Sequence, residues 1–542
     1  MHGDRNKTEY APDGRTSETI FAIHGFSPGI RQGIVTTLAV KTGKENEPKM
    51  VRFRNDIDAA KAADRREQLL ETLNDPEFDS RYELANPEPF NRYSFRPRQV
   101  AAEFKAWPTL QDIAAVPPVN GLMEKRGGVL MHVSRPRLQE RMKIYFDASL
   151  DWAAFKSQGS PLGKDAARFD AEKTRKRLIH LEGFKPKQIV RYWARPFDFQ
   201  WCYYSGIRPL WNEPRPQLWD WSRIAGNKYL VSRQVRGATP EGPPFYFLTC
   251  IGDDHALRTD AYFFPMRAHE NSGGHSSGAL FAKAEITNLS PRMRAYMENI
   301  GFTDPDGDEN CYSSPWWHAL AIGFSPKYLA EHSEGIAIGW PRIPMPRGRS
   351  DFDHSAALGK RLSDLLDIDV NVAEITSGTI AEHHKIFGVL SAADLVVRGW
   401  GHPDTKGRVN PGKGRVDKRE YSASESEAIR QGAQASGIDE ARAFELLGSP
   451  VDIYLNGTTC WRCVPTAVWE YFIGGYQVVK KWLSYRDESI FGRPLTKDEA
   501  REVTSMIRRI SAIVLLTDAL DANYVRAKET AQPWLADNTA SK

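Results

Sequence analysis

A stretch of arginine and aromatic side chains in the middle of the chain has the chemistry to bind a nucleic acid. Residues 191–221 read RYWARPFDFQWCYYSGIRPLWNEPRPQLWDW and contain ten aromatic residues and four arginines. Guanidinium groups bind phosphate and the O6/N7 edge of guanine in a planar, bidentate geometry. Aromatic rings stack on exposed bases or wedge a duplex open. The stretch therefore predicts a DNA-facing surface.

The same composition also fits a hydrophobic core with a charged rim. In this second interpretation the aromatic rings pack against one another, and the arginines form ion pairs with Asp198, Glu213 and Asp220. Composition alone leaves both interpretations open.

A second basic segment follows near residue 400. Residues 401–420 read GHPDTKGRVNPGKGRVDKRE, and we predict a loop there. Its glycines would let the main chain approach phosphate oxygens closely, although an ordinary solvated loop has the same composition. The candidate DNA contacts of the two segments are Arg191, Arg195, Tyr203, Tyr204, Arg208, Trp211, Arg215, His402, Lys406, Arg408, Lys413 and Arg415.

A motif of the form G-x-S-x-G occurs at Gly274–Gly278, with Ser276 as the candidate nucleophile of a serine hydrolase. A nucleophile elbow needs a strand that runs directly into the turn and a helix that follows it. The segment before this motif, AHENSGG, is polar and rich in glycine. The motif therefore favours a solvated loop over a catalytic serine.

Three further motifs lack the partners that their chemistry requires. The pair Cys460 and Cys463 has zinc-site spacing, but a closed zinc site needs four ligands. The acidic run 304–310, DPDGDEN, has its glycine at the fourth position, where a calcium loop has glycine at the sixth. The run NPEPF at 86–90 resembles the N-P-P-[YF] loop of amino-methyltransferases, but Glu88 interrupts it. We therefore predict no metal site and no catalytic residue in this chain.

The segments that must position the candidate residues change character along the chain. Apolar, β-branched runs before residue 55 predict three short strands, and residues 58–75 have helical periodicity. Residues 191–285 are rich in aromatics and punctuated by proline, which predicts strands and loops. Helical patterns dominate after residue 286, interrupted by the basic segment.

The C-terminal helices carry the most regular patterns. Thr496 and Glu499 have the spacing of a capping box, which predicts the start of a helix. The segment before it predicts a helix with basic residues around an apolar face. That face consists of Tyr476, Val479, Trp482 and Leu483, with Lys480, Lys481 and Arg486 around it.

Composition sets the broad class of the protein. At 542 residues, with 41% hydrophobic and 11% aromatic residues, the chain can build more than one core. The net charge of +4 is small, so a nucleic-acid surface would have to be local. Five cysteines, an odd number, favour a reducing compartment. With no apolar leader and no membrane-length apolar run, we predict a cytoplasmic protein without a membrane partner.

Several segments resemble, in order, the C-terminal specificity region of type ISP restriction–modification enzymes and related bacterial N6-adenine DNA methyltransferases. The similarity extends from about residue 20 to residue 528. The segments are YWARPFDFQWCYY, NLSPRMRAYMENIGF, HALAIGFSPKYLAEHSEGIAIGWPRIPMP, GWGHPDTKG with NPGKGR, and VWEYFIGGYQVVKKWLSYRDESIFGRPLTKDEAREVTSMIRRISAIVLL.

The resemblance implies an α+β, multidomain architecture. A partial α/β methyltransferase-like piece would be followed by a mixed α/β target-recognition region and a helical C-terminal part. The implied divisions are 1–92 (the end of a class I methyltransferase-like domain), 93–285 and 286–420 (the two parts of the recognition region) and 421–542 (helical).

The resemblance also implies a function. In such enzymes S-adenosylmethionine donates a methyl group to adenine N6, but the cofactor loop and the N-P-P-[YF] loop of the family are missing here. We therefore expect this chain to recognise double-stranded DNA without binding S-adenosylmethionine alone. Its partner would be a catalytic methyltransferase subunit or an upstream nuclease and translocase. The alternatives are a complete methyltransferase with an unrecognised cofactor pocket, and the serine hydrolase.

Overall fold

The computed structural model describes nearly all of the chain beyond residue 50. The described residues are 11, 17–23, 35–39, 50–166, 169–235, 241–258, 260–269, 284–404 and 409–534. The chain divides into two units. The first comprises Met1–Lys105, Arg236–Pro240 and His332–Gly339, and the second contains the remainder. The four divisions predicted from the sequence stay predictions.

Helices occur throughout the described part of the chain. They are α1 Ala62–Glu71, α2 Ala102–Ala106, α3 Leu110–Ile113, α4 Arg135–Phe146, α5 Trp152–Ser157, α6 Ala171–Leu181, α7 Pro216–Ser222, α8 Pro291–Asn299, α9 Glu309–Gly323, α10 Pro326–Glu331, α11 Ser333–Ile336, α12 Arg349–Leu366, α13 Glu382–Lys385, α14 Ala423–Ser436, α15 Glu440–Leu447, α16 Thr466–Trp469, α17 Val478–Arg486, α18 Glu488–Phe491, α19 Lys497–Leu515 and α20 Thr517–Glu529.

The strands are short. They are β1 Arg52–Phe53, β2 Glu83–Leu84, β3 Val119–Asn120, β4 Met131–His132, β5 Ile189–Arg195, β6 Asp198–Tyr203, β7 Tyr229–Ser232, β8 Phe245–Leu248, β9 Ile251–Gly252, β10 Tyr262–Pro265, β11 Arg267–His269, β12 Glu285–Thr287, β13 Val389–Leu390, β14 Gly401–Pro403, β15 Val409–Pro411, β16 Arg415–Lys418, β17 Pro450–Tyr454, β18 Cys460–Pro465, β19 Phe472–Ile473 and β20 Tyr476–Gln477.

Three four-stranded sheets organise the second unit. Their strand orders are β3–β10–β7–β8, β4–β6–β5–β9 and β13–β18–β17–β16. Neighbouring strands are antiparallel except for β5 and β9, which run parallel. Two-stranded hairpins formed by β14 with β15 and by β19 with β20 complete the parts of this unit that concern the candidate site.

The core of the second unit contains a helix that is buried on all sides. In α9 every residue from Ser313 to Gly323 is buried, because its sequence SSPWWHALAIG has no charged face and is mainly apolar around the whole circumference. Two glycines allow the close packing of this helix. A methyl group at Gly323 would overlap the ring of Phe245 in β8, and one at Gly359 of α12 would overlap the Trp317 carbonyl. Backbone thus meets backbone where α9 and α12 cross.

The mixed α/β, multidomain class predicted from the sequence is confirmed. In the first unit α1 confirms the predicted helix, and β1 lies within the third predicted strand. Residues 17–23 and 35–39 are the described parts of the first two predicted strands, and none of the strands β1–β20 lies in them. The isolated runs could not specify a sheet, because strands of this length need cross-strand partners to be stable.

Two local predictions near the C-terminus need correction. The segment 401–420, predicted as a loop, contains strands β14, β15 and β16. Tyr476, predicted on a helical face, lies in β20, and α17 begins two residues later at Val478. Two consecutive glycines with positive φ, Gly474 and Gly475, form the β19–β20 turn and delay the helix. The predicted capping box of Thr496 and Glu499 is confirmed at the start of α19.

Candidate nucleic-acid interface

The arginines of residues 191–221 all face a carboxylate. Arg191 binds Asp369 through two hydrogen bonds of 2.9 and 3.1 Å, and Arg195 contacts Asp253 at 3.1 Å. Glu213 is shared by the other two, with Arg208 at 2.5 Å and Arg215 at 3.8 Å.

Of the three acids predicted as partners, only Glu213 takes that role among these contacts. Asp198 instead accepts two hydrogen bonds from Arg486, at 2.7 and 2.8 Å, in a fully enclosed pair. Although burial opposes its ionisation, the Arg486 guanidinium holds the pKa of Asp198 below its ordinary value. The positions of these two residues differ by 288 in the sequence. Arg486, predicted around the apolar helical face, is therefore a buried residue of α17.

Most aromatic residues of the same stretch belong to the core, whereas Trp201 and Trp219 are half-buried. Tyr203 and Trp211 are 0% exposed and Tyr204 is 3% exposed. The indole of Trp211 donates to the Tyr203 carbonyl at 2.9 Å, and Tyr204 stacks on Trp219 with ring centroids 4.0 Å apart. Rings packed in this way have no free face for a base, so base stacking by these three residues is not part of the function proposed below.

A β-bulge decides where Arg195 points. The pairing of β5 with β6 slips between Trp193 and Arg195, so one residue of β5 has no partner. Such an insertion reverses the alternation of side chains along a strand. Arg195 therefore contacts the same carboxylate, Asp253, as the Tyr192 hydroxyl, which lies 3.1 Å from it. Arg195 is half-buried, with 18% of its side chain exposed.

The third four-stranded sheet has one buried and one open face. Val451, Ile453 and Trp461 are buried on one side. Because side chains alternate along a strand, the residues between them lie on the opposite side. The register pairs Arg415 with Tyr454 and Asp417 with Asp452, so these four side chains share the open face. The Arg415 guanidinium lies over the Tyr454 ring, 3.9 Å from its centroid.

A groove of about 530 Å³ crosses this open face, and we call it the sheet groove. Its lining is Ser391, Arg419, Glu420, Ser422, Glu425, Asp452, Tyr454, Thr458, Cys460 and Arg462. Arg419 is fixed at its centre by Glu425, at 2.7 Å from each of two nitrogens, and by Asp452 at 3.2 Å. The hydrogen bonds from Arg419 lower the pKa of Glu425 to about 2.

Two charged groups in the sheet groove are available to a ligand. Arg462 and Glu420 are both exposed. Within the described part of the chain, no side chain or backbone group forms a hydrogen bond or ion pair with either charged group. A free guanidinium matches the O6/N7 acceptors of guanine, and a free carboxylate accepts from cytosine N4. The groove thus holds one free donor, Arg462 in β18, and one free acceptor, Glu420 just beyond β16.

The glycines of the basic segment serve the fold. Gly414, at φ +60°, would place a methyl group 2.4 Å from the Trp400 ring, and Gly412 packs against the Gly399 carbonyl. The main chain therefore lies flat on Trp400, whose indole donates to the Tyr454 carbonyl at 2.7 Å. Lys413, between the two glycines, is exposed, as are His402 in β14 and Arg415 in β16.

Several predicted residues fall outside the described residues. These are Lys406 and Arg408 of the basic segment, and Ser276 with its G-x-S-x-G motif. Cys460 and Cys463 both lie in β18 with buried side chains, and burial raises the pKa of the Cys463 thiol.

Sequence reasoning missed Arg462 and Glu420. In the run CWRCVP every side chain except that of Arg462 is buried. A single charged residue in an apolar run was the available signal, but the cysteine spacing led to an interpretation as metal chemistry. Glu420 lies two residues beyond the end of β16 and had no comparable signal.

The architecture defines a multidomain mixed α/β protein, and its sequence matches a known family. A family model described as the type ISP C-terminal specificity domain matches residues 118–511. The chain therefore belongs to the type ISP C-terminal specificity domain family. A search of curated proteins finds no match.

Two solved structures have a similar fold. The first is a nuclease-deletion mutant of the type ISP restriction–modification enzyme LlaGI in complex with a DNA substrate mimic (TM-score 0.56, 14% identity, 96% of this chain and 42% of that chain covered). The second is a DrdV–DNA complex (TM-score 0.52, 13% identity, 84% of this chain and 42% of that chain covered). This chain thus spans less than half the length of either structure. None of its described helices is long and apolar enough to cross a lipid bilayer.

Proposed function

We propose that this chain is the target-recognition part of a type ISP-like N6-adenine DNA methyltransferase, and that the sheet groove reads base edges of duplex DNA. The observation that carries the proposal is the pair of free, opposite charges, Arg462 and Glu420, in one groove of a rigid sheet. The LlaGI and DrdV structures, which contain DNA, support DNA recognition as the function of this chain.

Neighbouring cations would position the duplex against the sheet groove. Lys413 and Arg415 are exposed cations in and just before β16, and His402 is exposed in β14. All three side chains are suited to contact phosphate oxygens, which fix register without carrying sequence information. Arg415 keeps Asp417 as a partner, at 2.5 Å, so its charge is partly offset. In the proposal these groups grip the backbone while Arg462 and Glu420 select bases.

The chemical step would belong to a partner. A catalytic methyltransferase part would bind S-adenosylmethionine and transfer the methyl group, and an upstream nuclease and translocase would complete a restriction enzyme. Five unpaired cysteines support a reducing, cytoplasmic setting for such an assembly. Calorimetry of the isolated chain with S-adenosylmethionine is expected to give no binding heat. A clear heat would instead favour the complete methyltransferase.

The proposal is tested by selecting bound duplexes from a randomised library with the purified chain near physiological salt. Enrichment of one short site that contains adenine is the expected result, because a specificity domain must hold the base contacts. Salt-sensitive retention without enrichment would assign base reading to a partner. Absence of retention would remove DNA binding from this chain.

A further inference from the structure

Three cationic side chains converge around one tyrosine, outside the sheet groove. Arg195 lies at the end of β5, Arg258 in the loop after β9, and Lys481 in α17. The centroid of the Tyr476 ring lies 5.4 Å from the Arg195 guanidinium carbon and 5.6 Å from the Lys481 amino nitrogen. Lys481 also lies 4.8 Å from the centroid of Tyr485. We call this cluster the cation pocket.

The Gly474–Gly475 turn holds Arg258 in the cation pocket. The Arg258 amide donates to the Gly474 carbonyl at 2.7 Å. A methyl group at Gly475 would lie 2.8 Å from the Arg258 side chain, so the close approach requires glycine there. Because the same turn leads directly into Tyr476, one two-residue connection positions both groups. The pocket is therefore a built feature of this fold.

The acids near the cation pocket are already engaged. Asp253 accepts from Arg195 and from the Tyr192 hydroxyl, each at 3.1 Å, and from the His255 amide at 2.8 Å. Asp198 is held by Arg486 on both oxygens. Both carboxylates therefore have little capacity left for a further cation.

The three cations, by contrast, could still form further ion pairs and hydrogen bonds. Among the described residues, none forms an ion pair with Lys481 or Arg258. The Arg195 Nε is buried and has no acceptor among them either. Positive charge therefore exceeds negative charge locally, with at least one donor left unsatisfied.

The surroundings of Lys481 disfavour its charged form. Burial, together with repulsion from Arg195 and Arg258, lowers the pKa of Lys481 to about 8. A half-buried amino group so far from its ordinary value commonly marks a functional position. An anion seated among the three cations would offset both the burial and the mutual repulsion. Two guanidinium forks and an ammonium group together match the several oxygens of a phosphate better than a single carboxylate.

We propose that Arg195, Arg258 and Lys481 form a binding pocket for one phosphate group, occupied by a backbone phosphate of the duplex. The inference rests on the proposed function, because it names a second point at which the chain holds DNA. The three side chains are half-buried but not enclosed, so a phosphate attached to a large ligand can reach them. This pocket would fix the position of the duplex without reading its sequence.

The test compares two adjacent lysines of the same helix. Lys481→Met removes the charge from the pocket and keeps the length of the side chain, and Lys480→Met is the matched control outside the pocket. Affinity is measured by fluorescence anisotropy of a labelled duplex at several salt concentrations. We expect Lys481→Met to weaken binding about tenfold. The slope of log K against log salt should fall by about one counterion. The control should change affinity less than about twofold.

Equal losses for both lysines would overturn the proposal, because they would indicate diffuse electrostatic attraction. Wild-type affinity in Lys481→Met would also overturn it. Thermal unfolding of each variant shows whether a loss of binding reflects a loss of folding. Arg258→Gln provides a second variant of the same pocket, and it should weaken binding in the same direction.

A titration with inorganic phosphate distinguishes the source of the phosphate and separates failure of this inference from failure of the proposed function. Lysine NMR signals report the pKa of Lys481, which an anion in the pocket raises. If the wild-type chain binds no DNA, the proposed function fails, and so does the duplex as occupant, whatever the titration shows. A different outcome is that the wild-type chain and Lys481→Met bind DNA equally and differ only in their response to inorganic phosphate. The pocket then binds free phosphate, and the duplex is again excluded as its occupant.

Discussion

At the scale of single residues, unpaired charges distinguish candidate base contacts from other arginines. The arginines of residues 191–221 all face carboxylates, whereas Arg462 is exposed and, within the described part of the chain, has no partner. A paired arginine must give up its acid before it contacts a base, and part of the binding free energy is lost in that exchange. Free groups on a rigid strand do not incur this loss.

Arg462→Ala is therefore expected to relax recognition at one base pair. Loss of a bidentate contact to guanine should remove about 1–3 kcal/mol of discrimination at that position. The measurement is competition binding with duplexes that differ from the selected site at one base pair each. Arg501→Ala, at a position whose side chain is 77% exposed in α19, is the control and should leave the profile unchanged. A uniform loss on every duplex would make Arg462 a phosphate contact.

At the scale of elements, glycines set the closest approaches. Gly359 allows α12 to pack against the backbone of α9, and Gly414 allows the chain before β16 to lie on Trp400. In both places a side chain would collide with a rigid neighbour, so the packing of the elements depends on the missing Cβ.

Gly359→Ala should destabilise the second unit by at least about 2 kcal/mol, because its methyl group would lie 1.8 Å from the Trp317 carbonyl oxygen. Denaturant unfolding followed by tryptophan fluorescence measures the change. Gly339→Ala is the control, since its methyl group would meet nothing within 4 Å, and its stability should be unchanged or slightly higher. Wild-type stability of Gly359→Ala would show that α9 and α12 can separate at little cost.

At the scale of the whole molecule, buried histidines link folding to pH. His318 of α9 is fully buried between a 2.7 Å contact to the Ser355 hydroxyl and a 2.9 Å contact to the Pro344 carbonyl. Burial lowers its pKa to about 4. Burial likewise lowers the pKa of His384 to about 3. Between these values and 6.5 the unfolded chain binds protons that the folded chain does not, so stability falls as pH decreases through this window.

His318→Gln should flatten this dependence. The variant lacks the titrating group, so its free energy of unfolding should fall by about 2–3 kcal/mol less than that of the wild type between pH 7 and pH 4.5. Urea unfolding at a series of pH values gives the comparison. His402→Gln, at an exposed position in β14, is the control and should follow the wild-type curve. Parallel curves for wild type and His318→Gln would show that His318 takes up its proton in the folded state.

The sequence by itself determined what depends on neighbours along the chain. The capping box of Thr496 and Glu499 and the buried face of Val479, Trp482 and Leu483 appear as predicted. Both arise from contacts within a few residues, which a local pattern contains. The order of the segments likewise indicated the type ISP family, which the match over residues 118–511 confirms.

Only the tertiary structure decided which charges are free. The partner of Asp198 lies 288 positions away, the bulge before Arg195 arises from its pairing with β6, and the glycines of the basic segment pack on Trp400. No local pattern contains these contacts, because they depend on which distant surfaces meet. The sequence thus identified DNA-binding chemistry, and long-range packing determined that Arg462 and Glu420, in place of the buried aromatic residues, are positioned to carry it out.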